Sequence, residues 1–164
     1  MQGRRSVLAA FVAGAVAGCG FELKRSPELR FRSVQLVGFS ARSPLAAELR
    51  SSIDASTTTR VVDSAAQAQV VLEAIADARE KSVVASTAAG QVTEFQLRAR
   101  FRFRLRTVAG KELIAPTEIL QSRDMSYTES AALGKEQEED ALYRAMQTDI
   151  VSLVMRRLAS VQAV

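Results

Sequence analysis

The sequence predicts an α+β two-layer sandwich, a mixed four-stranded sheet with two helices on one face in the order β-α-β-β-β-α. Three stretches carry that expectation. Phe95 to Val108 sets Phe95, Leu97, Ala99, Phe101, Phe103 and Leu105 on one parity and Gln96, Arg98, Arg100, Arg102, Arg104 and Arg106 on the other. Strand side chains alternate between faces, so this stretch is a strand with one apolar and one cationic face. Ser43-Pro44, followed by Leu45, Leu49 and Ile53, reads as a capped helix with a buried stripe. A second, longer stripe of Leu142, Met146, Ile150, Leu153, Val154 and Leu158 predicts a helix from about Ala132 to Ser160.

The remaining elements follow along the chain. Phe31 to Phe39 is the first strand, with Val34 and Leu36 on one parity. The first helix ends in Ser56-Thr57-Thr58-Thr59, where β-branched residues favour extended chain. Ala68 to Arg79 is the second strand, with Val70, Leu72, Ala74, Ala76 and Ala78 inward and Glu73 and Asp77 outward. Glu80 to Gln91 is expected as a loop turning at Ala89-Gly90. After the arginine strand, Ala109-Gly110-Lys111 makes a hairpin into a last strand from Glu112 to about Tyr127, with Pro116 marking part of it as an edge. Glu136, Glu138, Glu139 and Asp140 come early in the last helix and Arg156 and Arg157 late, an order that suits the helix dipole.

This order makes the first two strands a parallel crossover pair. It also separates two ends. The Glu80 to Gln91 loop and the start of the last helix share one end; the chain entry and the Gly110 hairpin share the other. Strands of twelve to fifteen residues would set these ends roughly 40 to 50 Å apart.

Arginines two residues apart on one strand face lie roughly 6 to 7 Å from each other. Each neighbouring pair repels by about 0.6 kcal/mol in water and roughly 2 kcal/mol at an effective dielectric of 20. Dry burial without counter-charges is excluded. Two readings of the row remain open: a solvated face balanced by acids such as Glu73, Asp77 and Glu118, or a docking face for a protein wall or an anionic ligand.

The chain of 164 residues is long enough for one core. It has no histidine, which removes the usual general base and the commonest metal ligand, and no nucleophile motif, so an enzyme is not expected. A single cysteine, Cys19, can form neither an internal disulfide nor a thiolate cluster. No metal or cofactor is expected beyond covalent lipid on Cys19. Removing Arg4 and Arg5 from the 22 Lys and Arg leaves twenty against 18 acids, concentrated on one strand and with few aromatics, which does not fit nucleic-acid binding.

Residues 1–18 read as a signal peptide: Arg4 and Arg5, an apolar run from Val7 to Ala17, then small residues. About a dozen apolar residues are too few to span a bilayer. Val16-Ala17-Gly18-Cys19 resembles the lipobox of bacterial lipoproteins, which makes Cys19 the lipid attachment point and first mature residue. Several acyl chains on one residue anchor stably, at about 0.8 kcal/mol per buried methylene. Gly20 after the cysteine, by resemblance to lipoprotein sorting, implies the outer membrane. Residues 19–30 are then a tether, 31–160 a single α/β domain and 161–164 a tail.

Three segments together resemble the LptE family of lipopolysaccharide-assembly outer-membrane lipoproteins. They are Ala17-Gly18-Cys19-Gly20-Phe21-Glu22-Leu23-Lys24, Gly90-Gln91-Val92-Thr93-Glu94-Phe95 and Ala132-Leu133-Gly134-Lys135-Glu136-Gln137-Glu138. The resemblance implies a non-enzymatic protein that plugs the LptD β-barrel, assists its assembly and contacts lipopolysaccharide, held to the inner leaflet of the outer membrane by its lipid. It implies lipopolysaccharide contact at Lys135; Ala88 stands where the family has a second basic residue. From position alone Lys135 is also an ordinary solvated lysine near a helix start. The other role open to such a chain is that of a pilot or chaperone lipoprotein for a different outer-membrane assembly, with the arginine row as its docking surface.

Overall fold

The computed structural model describes residues 28–162. The expected signal peptide, Cys19, most of the tether and the last residues of the tail lie outside that range. The elements are β1 (Ser33–Val37), α1 (Pro44–Asp54), β2 (Arg60–Val62), β3 (Val70–Ser86), β4 (Val92–Thr107), β5 (Glu112–Ser126) and α2 (Ala132–Ala159), with short 3₁₀ turns at Ala65–Gln67 and Glu129–Ala131. They form one sheet in the order β2-β1-β3-β4-β5.

The sheet therefore has five strands rather than four. The extra one, β2, pairs parallel with β1 over Ser33↔Arg60 to Gln35↔Val62. Three residues carry no readable alternation. The strand is held mainly from its flank, where Thr59 Oγ1 donates to the Phe31 carbonyl (2.5 Å) and Thr58 Oγ1 to that of Leu29 (3.2 Å). The expected parallel crossover is present, since β1 also pairs parallel with β3 from Val34↔Val70 to Val37↔Glu73. β1 is shorter than Phe31 to Phe39 because Gly38 leaves the strand at φ +81, in a space where a Cβ would come 2.3 Å from the Ala74 carbonyl oxygen.

β3 is the element that departs most from expectation. It continues through Glu80 as far as Ser86, so only Thr87 to Gln91 forms the turn, with Gly90 at φ +81. Its register with β4 slips between Ala74↔Phe103 and Ala76↔Arg102. That bulge at Ile75 inverts the parity of the residues from Ala76 to Val83, beyond which the register shifts again. Ala76 and Ala78 consequently lie opposite arginines rather than inward, while Asp77, Arg79 and Lys81 take the helix-covered face opposite Phe101, Ala99 and Leu97. Asp77 is thus not a counter-charge to the arginine row. Its carboxylate accepts from Ser43 Oγ (3.3 Å) at the start of α1, where the same hydroxyl accepts from the Ala46 amide (3.2 Å).

The β4 parity is as expected. Leu97, Ala99, Phe101, Phe103 and Leu105 are buried together with Leu45, Leu49 and Ile53 of α1. Phe101 stacks on Phe103 at 5.4 Å and on Phe39 at 5.8 Å. From α2 the core receives Met146, Ile150, Val154 and Leu158, joined by Tyr143, Val151 and Met155; Leu142 and Leu153 are only half-buried against it. Both helices lie on this face and touch, Glu48 of α1 accepting from Gln147 (2.6 Å) and Thr148 (2.8 Å) of α2. β5 is an edge strand, and its register with β4 shifts between Phe103↔Thr117 and Leu105↔Ile114, next to Pro116.

β3 and β5 run parallel to each other on either side of β4, so the Thr87–Gln91 turn and the start of α2 share the distal end. The described chain enters at the opposite end, beside the Gly110 hairpin, where the Val108 amide donates to the Gln69 carbonyl (3.4 Å). β3 alone, at 17 residues, spans roughly 55 Å.

Candidate functional site

The arginine row occupies the sheet face away from the helices, and its neighbours decide its character. On β3, Glu73 stands opposite Arg104 and Glu80 opposite Arg98; on β5, Glu112 stands opposite Arg106 and Glu118 opposite Arg102. Glu73 takes both Arg104 (2.8 Å) and Arg106 (3.7 Å), and Arg100 pairs with Glu80. Each of these half-exposed pairs contributes about 0 to 1 kcal/mol. Their larger effect is to make the face an alternation of charges instead of a uniform cationic field. Arg98 and Arg102 differ from the rest: both are exposed, and neither has an ion pair among the described residues, Arg98 Nε donating instead to Gln96 Oε1 (2.8 Å). Leu120, more than half exposed, lies opposite Arg100 on this face.

The opposite face carries charges along the outer part of β3 and at Arg123 of β5, which donates to Asp149 of α2 (2.8 Å), and these tie the sheet to that helix. Arg79 donates to Gln147 (3.1 Å) and lies over the Tyr143 ring at 5.1 Å; Tyr143 Oη donates to the Glu80 carbonyl (2.8 Å). Burial and then the nearby Glu139 carboxylate push the Tyr143 hydroxyl above its ordinary value of 10.0. Lys81 meets Glu139 at 2.5 Å and sits 4.3 Å from the Phe95 ring centroid. These residues went unnoticed in the sequence because the bulge hides which way they point.

At the distal end two clefts meet. The larger, about 460 Å³, lies between the Thr87–Gln91 turn and the chain leading into α2, lined by Thr87, Gln91, Thr93, Tyr127, Thr128 and Glu129. Its rim is fixed by backbone bonds: the Thr87 amide to the Gln91 carbonyl (2.8 Å), and the Tyr127 amide to the Thr93 carbonyl (2.8 Å). The smaller, about 110 Å³, is lined by Lys81, Tyr127, Lys135, Glu136 and Glu139. Lys135 is not a freely solvated residue. Its side chain is 17% exposed and its ammonium donates to Ser126 Oγ (3.1 Å) and Glu138 (2.7 Å). Lys135 and the arginine row are separate features: the lysine is at the tip and the row runs along β4. Ala88 is in the turn between β3 and β4.

Among the described residues, no group of three or more His, Cys, Asp or Glu is placed to hold a metal, and no helix is long and apolar enough to cross a membrane.

A family model described as "LptE: Lipopolysaccharide-assembly" matches residues 31–158. Among solved structures, uncharacterized lipoprotein B from Nitrosomonas europaea is similar at 29% identity and a TM-score of 0.74, over 86% of this chain and 91% of that one. Rare lipoprotein B from Shewanella oneidensis is similar at 25% identity and a TM-score of 0.67, over 79% and 95%. A minor lipoprotein from Acinetobacter baumannii, at 17% identity and a TM-score of 0.66 over 80% and 93%, shares the fold. No curated protein matches the chain.

Proposed function

Because this chain belongs to the LptE family of lipopolysaccharide assembly, we propose that it is an outer-membrane lipoprotein that plugs and helps assemble the LptD β-barrel and contacts lipopolysaccharide on its way to the cell surface. The role is non-catalytic. The observation that carries it is the charge-alternating face of β4, flanked by Glu73, Glu80, Glu112 and Glu118. A plug in a polar barrel lumen must tolerate water on its outer surface without carrying a field that repels a mixed wall, and interleaved charges do this. Lipid on Cys19, which lies outside the described residues, would hold the hairpin end at the membrane. The distal clefts would then face away from the anchor. Lys135 is the lipopolysaccharide contact of this reading, a cation suited to phosphate.

Lys135→Glu and the milder Lys135→Gln test the contact in the full chain. Both should weaken lipopolysaccharide binding while the thermal transition stays in place, with Glu the more severe because it adds a charge beside Glu138. Unchanged binding in both removes Lys135 from the site.

A further inference from the structure

The charges left outside ion pairs are sorted by end. Where the described chain enters, Arg30 and Arg32 are exposed while Leu29 and Phe31 between and before them are buried in the core, which holds the segment in place. The 28 residues of α2 return about 42 Å from the distal end and bring the exposed Arg156 and Arg157 to this same end, beside the buried Leu158. Lys111 adds an exposed cation on the Gly110 hairpin. None of these has an ion pair among the described residues. The exposed acids here are Glu28, Asp54 and Glu112; Asp54 accepts from the Val61 amide (2.8 Å), and Arg60 is spent on the carbonyls of Asp54, Ser56 and Thr59. In the sequence Lys24 and Arg25 come just before the described chain. The distal end is the reverse: Lys81 and Lys135 are held by Glu139 and Glu138, and Glu94, Glu129, Glu136 and Asp140 have no ion pair among the described residues.

We propose that this basic end is a seat for an anionic phospholipid surface. The proposal rests on the anchored-lipoprotein reading above and adds what the protein body does at the membrane before a barrel encloses it. Lipid on Cys19 brings the body near the leaflet; the free cations decide which end faces the headgroups. An anionic surface attracts the entry end through Arg30, Arg32, Lys111, Arg156 and Arg157 and repels the acidic distal end, so the long axis stands up from the leaflet. The hairpin supplies an independent feature. Val108, 44% exposed, sets an apolar side chain among these cations, and its amide bond to the Gln69 carbonyl (3.4 Å) holds the tip against the sheet. An apolar side chain flanked by basic ones suits the boundary between headgroups and acyl chains.

The test places the lipidated full chain in nanodiscs of phosphatidylcholine alone, or of phosphatidylcholine with about 30% phosphatidylglycerol, and follows backbone hydrogen exchange. The Val108–Lys111 amides should exchange about fivefold more slowly on the anionic discs, with the Thr87–Gln91 turn unchanged, and the slowing should vanish at about 0.5 M salt. Arg156→Gln with Arg157→Gln, and Lys111→Gln separately, should each cut the slowing by about twofold, whereas Arg144→Gln, the same charge change midway along α2, leaves it intact. If both kinds of disc retain the chain and the hairpin exchanges alike on both, the seat is wrong and the lipid anchor stands. If only the anionic discs retain the chain and they slow the hairpin, the seat stands and the anchor falls. Retention by neither overturns both. Slowing that requires added LptD and ignores the lipid makes this end a barrel contact, and the seat is wrong.

Discussion

Arg98 and Arg102 are the two members of the arginine row that no carboxylate holds among the described residues, so a partner meets them without first breaking an ion pair. Changing both to glutamine should lower recovery of the barrel partner while leaving the unfolding free energy within about 0.5 kcal/mol of the parent. Arg104→Glu differs, because it sets a second carboxylate against Glu73, and should cost about 1 kcal/mol in chemical denaturation. Unchanged partner recovery in the double variant leaves the row as a solvated face only. Tyr143, 7% exposed, gives a pH-dependent counterpart on the other side of the sheet. Its hydroxyl titrates higher in the fold than the ordinary 10.0, so its contribution is fully present below that value and is lost as pH rises through the folded one. Tyr143→Phe should cost about 1 kcal/mol near neutrality through the lost bond to the Glu80 carbonyl. It should also reduce the loss of stability as pH rises above about 10, read from denaturation midpoints.

Elements differ in how plainly the sequence announces them, and the difference has local causes. The β4 alternation and the Ser43-Pro44 helix start were legible because each is a short-range pattern: period two over the whole strand, and a cap with proline at the first helical position. β3 was legible only up to Ala74. Beyond it, one inserted residue exchanged the faces of Ala76, Asp77 and Ala78, and no residue type in Ala74-Ile75-Ala76 marks a bulge. That slip also concealed Lys81, the residue that makes a two-lysine cleft from what the sequence presents as a lone Lys135. β2 was missed because its three residues depend on β1 for their extended form. Gly38 is where the β1 exit is most constrained, by left-handed backbone and by the Ala74 carbonyl. Gly38→Ala should therefore destabilise by about 2 to 4 kcal/mol in denaturant titration. A loss below about 0.5 kcal/mol would mean that the β1 exit and the bulged part of β3 are not packed as described.

At the scale of the whole molecule the design is an elongated sheet with chemistry at one end and chain entry at the other, a helix-packed core on one face and interleaved charges on the opposite one. The two-layer architecture and the separation of ends follow from element order, and so could be inferred before any coordinates. Part of the arginines' compensation could be inferred too, Glu73 and Glu118 being the expected acids and standing opposite Arg104 and Arg102; that Asp77 leaves this face and Glu80 joins it could not, because the bulge in β3 decides it. Family membership ties this body to lipopolysaccharide assembly; the proposal that it plugs the LptD barrel is the central claim. The most direct measurement is affinity recovery of the full-length lipidated chain from outer membranes, followed by identification of whatever remains bound in mild detergent. The account predicts LptD in near one-to-one amount, reduced by the Arg98→Gln, Arg102→Gln pair. Recovery of a different outer-membrane assembly, or of folded protein with no LptD, would contradict it.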